Sequence, residues 1–177
     1  MSLHESLGLI VLVICVVASI IALVAPYWLE SDYIITGRYH MGLFATCKEN
    51  SCTWIFENDM QHLKHEPDWF ISTQGLMIVG AVMGVLALLV ATLALCCTCE
   101  NCNPNNAVAA FLVVGFLCMG IAVVVFGIKA SDETKVKLKR DSGSFVWFSW
   151  SYWIAIVAAG LSLVAAVMYS CMNKKNA

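Results

Sequence analysis

Four long stretches of this chain hold no ionisable side chain. Leu7–Tyr27, Gly75–Cys97, Ala107–Ile128 and Trp150–Cys171 contain no Asp, Glu, Lys, Arg or His. Charge is scarce overall, at 12% of residues, against roughly 25% in a typical soluble domain. An enzyme, pump or ion path inside a membrane needs ionisable groups there, because they are costly to bury and are kept only for function. Without them, and without a glycine-rich phosphate loop, a nucleophile elbow or an HExxH pair, catalysis is not expected, nor is any cofactor or resident metal. The net charge is −2 and no basic helix or aromatic–basic stripe occurs, which sets nucleic acid aside as a partner. No N-x-Ser/Thr acceptor is present, so N-glycosylation is not expected either.

What is abundant is apolar surface: 60% of residues, with a mean hydropathy of +0.81. Each uncharged run reaches the ~20 residues that an α-helix needs to cross a hydrocarbon core. The sequence therefore predicts an all-α membrane protein of four spans, a single domain over residues 1–177, with the lipid bilayer as its first partner. The run at 7–27 reads as a retained span rather than a cleaved signal: no basic segment precedes it, its apolar stretch is too long, and Pro26 falls where cleavage would occur. Long polar connections are predicted at 28–74 and 129–149. A short one at 98–106 carries Pro104 and makes spans two and three an antiparallel pair. Four spans put both termini on one side.

Helices in lipid approach closely where residues are small. Gly80 and Gly84, at GxxxG spacing, are candidate packing positions, either inside the bundle or on a dimer face; Gly75, Gly115, Gly120 and Ala158–Gly160 extend the set. Trp28 closes the first run and suits the lipid–water interface, as does the cluster Trp147–Trp153. In the first connection, Tyr33–Ile35, Tyr39–Met41 and Thr53–Phe56 are rich in β-branched and aromatic residues and predict short antiparallel strands. Asp59–Lys64 reads as a turn or short helix.

The nine cysteines fall into groups. Cys15 and Cys118 lie within spans and suit packing. Cys47 and Cys52 are spaced to close a small loop. Cys96, Cys97, Cys99, Cys102 and Cys171 cluster beside the membrane surface, where S-palmitoylation occurs; a zinc site on Cys99 and Cys102 lacks a second pair or a histidine. His62 and His65, beside Asp59, Glu66 and Asp68, read as a solvated acidic loop rather than an ion site. Lys174 and Lys175 stand fourth and third from the end, like a dilysine signal for retrieval to the early secretory pathway, or as ordinary juxtamembrane charges.

The order Pro26-x-Trp28, Gly42-Leu43-Phe44, Cys47 and Cys52 resembles the signature of the superfamily of claudins, peripheral myelin protein, epithelial membrane proteins and the lens fibre membrane protein. Thr73–Ile78, opening the second span, and Phe148–Tyr152, opening the fourth, extend the resemblance over the whole chain. It implies a left-handed four-helix bundle bearing a small extracellular antiparallel β-sheet from the first loop, with a Cys47–Cys52 disulfide. Three departures stand out. Phe44 replaces the signature tryptophan, Gln74 replaces an arginine at the base of the second span, and the tail lacks the aromatic–valine ending by which claudins bind scaffolds.

Sidedness is signalled two ways. The long connections hold eight of the ten Lys and Arg, which by the positive-inside rule would keep them in the cytosol. A disulfide needs an oxidising compartment, and the family pattern agrees with it, so the reading is termini inside and long loops outside. The first loop has seven acids against three bases, a net −4; the second has five bases against three acids, a net +2. Opposite-sign surfaces can pair between molecules. The resemblance implies a junctional or adhesive protein of the plasma membrane, of tight-junction type, contacting like molecules in cis or trans. The alternative is an auxiliary subunit or trafficking modulator of a channel or receptor.

Overall fold

The computed structural model describes residues 3–33, 37–48, 51–55, 67–96, 104–140 and 144–176. Four helices run α1 Leu3–Val24, α2 Asp68–Cys96, α3 Pro104–Arg140 and α4 Trp150–Asn176. Each contains a segment long and apolar enough to cross a membrane: Ser6–Val24, Asp68–Leu95, Pro104–Asp132 and Trp150–Met172. Prolines mark the ends. Pro26 stops α1, having no N–H to continue the ladder. Pro104 opens α3 at a position where an N–H would have no partner. The Pro67 carbonyl accepts the first bonds of α2 from Phe70 and Ile71, at 2.9 and 3.4 Å.

The helices pack in a ring, α1 against α2, α2 against α3, α3 against α4 and α4 against α1. Their outward faces are apolar: Leu117, Ile121, Val124 and Val157 are each more than half exposed, as lipid-facing residues are. Two buried clusters fill the inside. One, toward the termini, is built on Leu12, Val108, Leu112 and Tyr169; the other, toward the long connections, is built on Trp28, Phe70, Met119, Phe126 and Tyr152.

Above the second cluster lies an antiparallel sheet of five strands, β1 Leu29–Tyr33, β2 Gly37–Met41, β3 Ala45–Lys48, β4 Ser51–Trp54 and β5 Ser144–Phe148, in the order β4-β3-β2-β1-β5. Consecutive hairpins join β1 to β4. The fifth strand comes from far along the chain, pairing Leu29 with Phe148 and Tyr33 with Ser144. Among the described residues, the sheet and the irregular backbone lie at this end of the bundle, outside the four spans, as lipid requires.

The element bounds add three details to these expectations. Within the connection 129–149, α3 continues to Arg140, about 12 Å beyond Asp132 at 1.5 Å per residue, because Asp132–Arg140 contains no proline or glycine and needs no lipid to stay helical. The sheet is built mostly from the first connection, as expected, and β5 from the second connection completes it. Helix α2 starts at Asp68, seven residues ahead of the uncharged run that opens at Gly75.

Candidate functional site

The junction between sheet and bundle gathers the signature residues. In α1 the carbonyl of Ala22 should accept a bond from the N–H four residues on, but that residue is Pro26. The indole Nε1 of Trp28 donates to the Ala22 oxygen instead, at 2.7 Å. Pro26-x-Trp28 is thus a helix terminator carrying its own substitute donor, which satisfies a buried carbonyl that would otherwise cost ~1–3 kcal/mol. The ladder's previous bond, Ala25 N–H to Ile21, is intact at 2.9 Å.

Trp28 is 0% exposed, so it does not sit at the lipid–water interface as its position in the sequence suggested. The sheet folds over it from above, and its ring meets Phe126 and Tyr152 edge-on, with centroids 4.8 and 5.9 Å away. Phe126 is fully buried at the centre, with Trp69, Phe70 and Phe148 around it. Tyr152 stacks on Phe148 at 4.4 Å and donates to the Val123 carbonyl at 3.3 Å. Gly127 leaves room for that hydroxyl, since a Cβ there would lie 2.5 Å from it.

The second signature element docks on the first. Gly42 lies against the end of α1, where a Cβ would stand 2.7 Å from the Ala25 oxygen and closer still to the Pro26 Cα. Only glycine permits this approach. Leu43 drops into the core at 0% exposure, and its carbonyl accepts from Nε2 of buried Gln74. The neutral amide of Gln74 thus ties the second signature element to α2. Phe44 is half-buried against the same cluster. Backbone bonds complete the seam: Trp28 N–H to Met41 O at 3.0 Å, Ser149 N–H to Trp28 O at 3.0 Å and Ser151 N–H to Tyr27 O at 3.1 Å.

On the sheet, Cys47 and Cys52 are disulfide-bonded across the paired strands β3 and β4. Glu30 on β1 faces His40 on β2, with Nδ1 3.8 Å from the carboxylate, and accepts from the Ser149 hydroxyl at 3.4 Å. Trp147, Trp150 and Trp153 are 43 to 58% exposed, whereas Phe148 and Tyr152 between them turn inward. The predicted aromatic belt is thus a belt of tryptophans with its other two aromatics in the core.

Gly80 packs on α3, where a Cβ would meet Met119 Cγ at 2.5 Å and the Gly115 oxygen at 3.3 Å; Gly84 packs on α1, 3.4 Å from Val16. Both face neighbours inside the bundle. Gly75, Gly120 and Gly160 face open space. Cys15 is buried and donates to the Ala158 carbonyl at 3.4 Å, and Cys171 is exposed near the end of α4. Cys96 closes α2, while Cys97, Cys99 and Cys102 lie outside the described residues, as do Asp59, His62, His65 and Glu66. Lys174 and Lys175 belong to the last turns of α4.

Residue-level reading missed Phe126, Tyr152 and Ser149 as parts of this junction. One local signal was available: a proline four residues after Ala22, with an indole donor two residues beyond it.

The sequence matches the model of the PMP-22/EMP/MP20/Claudin family over residues 3–169. It is 25% identical to mouse claudin-1, over 94% of this chain and 84% of that protein. Against the zebrafish p53 apoptosis effector related to PMP-22 it is 20% identical, over 92% of this chain and 80% of that protein. With the signature residues converging on one buried junction beneath a disulfide-bearing sheet, the chain belongs to the PMP-22/EMP/MP20/Claudin family of non-enzymatic, four-span membrane proteins.

Proposed function

We propose that this protein is a junctional, adhesive component of the plasma membrane, with its sheet outside the cell, both termini in the cytosol, and like molecules as its partners. The observation that carries this reading is β4. It forms one edge of the sheet, all four of its residues are exposed, and Trp54 is 41% exposed. Among the described residues no strand covers the outer side of β4; such an edge offers N–H and C=O groups to another chain, and tryptophan is a residue type that anchors protein contacts. The Cys47–Cys52 bond supports the outward placement, because disulfides persist in oxidising compartments.

Charge supports pairing between molecules. The first connection carries the net −4, and Lys135, Lys137 and Lys139 lie on the extension of α3 beyond the membrane. If contacts line a paracellular pore, the acidic loop gives it a preference for cations. Cys96 closes α2 and Cys171 lies near the end of α4; these two, with Cys97, Cys99 and Cys102 in the connection that follows α2 in the sequence, are sites for palmitoylation. Acyl-exchange labelling should fall when Cys96, Cys97, Cys99 and Cys102 are replaced together; undiminished labelling counts against those four sites.

The test is localisation of the tagged protein in mixed cultures of expressing and non-expressing, adhesion-deficient cells. Enrichment only where two expressing cells meet is expected, with loss of enrichment when Lys135, Lys137 and Lys139 become Glu. Even surface staining, or retention in the early secretory pathway through Lys174 and Lys175, overturns the reading. Co-purification with one larger channel or receptor would then establish an auxiliary subunit.

A further inference from the structure

On the lipid-facing side, α3 and α4 part to leave an open groove of about 620 Å³, lined by Phe116, Gly120, Ile121, Val124, Ile156 and Gly160 among others. The lining is almost wholly apolar, and the two glycines form its floor: a Cβ at Gly120 or Gly160 would meet nothing within 4 Å. The depth of the groove is specific. From Val125 to Phe116, both on its wall, α3 descends about 13 Å at 1.5 Å per residue. Half of a ~30 Å hydrocarbon core is about 15 Å. The groove therefore runs the length of one leaflet, on the side of the sheet.

What stands above it differs in chemistry. Lys129 is exposed and follows Val125 by four residues, on the same helix face and about 6 Å higher. Trp153 is 58% exposed and precedes Ile156 by three residues on α4. A cation and an interfacial indole thus cap a slot with the length of an acyl chain; exposed Asp132, three residues beyond Lys129, is the acidic neighbour. From this combination we infer that the groove is a binding site for one glycerophospholipid, with an acyl chain lying over Gly120 and Gly160 and the phosphate at Lys129. A sterol would need a hydroxyl partner, which the lining does not offer. A second copy of this chain would instead bring its exposed Asp132 to Lys129, and a dimer that retains no phospholipid is the outcome that would assign the groove to it and overturn the proposal. The inference does not depend on the adhesive role.

The experiment is native mass spectrometry of the full chain, purified in mild detergent and supplied with phosphatidylserine or phosphatidylcholine. The wild type should retain one phospholipid. Gly120→Leu and Gly160→Leu fill the slot from its floor and should abolish retention while leaving the unfolding temperature unchanged, since neither side chain meets a neighbour. Lys129→Gln should weaken retention about fivefold, the effect of removing one near-surface cation. Gly75→Leu, equally open but on α2, is the control for lipid bound anywhere on the bundle. Equal retention by the groove variants overturns the proposal. So does equal loss in Gly75→Leu, loss that tracks a lower unfolding temperature, or retention that ignores Lys129.

Discussion

Replacing Trp28 with phenylalanine tests whether the indole stands in for the N–H missing at Pro26. The phenyl ring keeps most of the aromatic contact with Phe126 and Tyr152 but removes the donor to Ala22. An orphaned buried carbonyl costs ~1–3 kcal/mol, and the space left by the smaller ring adds a cavity cost, so the total should be about 2–4 kcal/mol. The argument makes a sharper claim about Pro26→Ala. There the restored N–H continues the α1 ladder one step past the Ala25–Ile21 bond and reaches Ala22. In that background Trp28→Phe should lose about 1 kcal/mol less, a coupling within the range expected of residues sharing one partner. Reversible denaturation of the four proteins in mixed micelles, followed by far-ultraviolet circular dichroism, measures the cycle. Equal costs in both backgrounds, or a cost of Trp28→Phe below about 0.5 kcal/mol, would refute the substitute-donor account.

Gly42→Ala should destabilise by at least 1–3 kcal/mol, because its Cβ meets fixed backbone of Ala25 and Pro26; a lower unfolding temperature and reduced surface delivery are the readouts, and wild-type behaviour would argue against the close approach. At Gly80 the nearest obstructing atom is Met119 Cγ, a side-chain atom and not backbone, so Gly80→Ala should cost less than Gly42→Ala and be relieved by Met119→Ala; additivity of the two would count against the contact. Removing the disulfide with Cys47→Ala and Cys52→Ala should cost about 2 kcal/mol for so short a loop, and a reducing agent should lower the unfolding temperature of the wild type but not of this double variant.

The spans were legible because twenty uncharged apolar residues in a row admit few other structures. Their ends were not, because the end of a hydrophobic run marks the membrane surface, and a helix is free to pass it. Asp132–Arg140 is charged but holds no helix breaker, and α3 runs on through it. Strand β2 was visible at Tyr39–Met41 and β4 in part at Thr53 and Trp54. The cluster Tyr33–Ile35 meets β1 only at Tyr33, Ile34 and Ile35 lying outside the described residues, and β3, with Ala45, Thr46, Cys47 and Lys48, has too little of that character to stand out. Strand β5 was hidden for a different reason: its partner is β1, more than a hundred residues earlier, and no local pattern encodes a pairing so distant. Trp28 was misplaced by the same kind of ignorance. An indole at the end of a span looks interfacial until a sheet from elsewhere in the chain closes over it.

That distant pairing sets an order of events during synthesis. Strands β1 to β4 are complete once the first connection has emerged, but the outer edge of β1 has no neighbour until Ser144–Phe148 arrives, about 110 residues after Tyr33. At roughly 5–20 residues per second, that edge waits about 5–20 seconds. Through the same interval Trp28 lacks both Phe126 and Tyr152. The nascent protein therefore presents an unpaired strand beside an uncovered indole until its fourth helix is made. Quality control in the secretory pathway has a defined surface to hold during that wait, and release from it reports that the last span is in place.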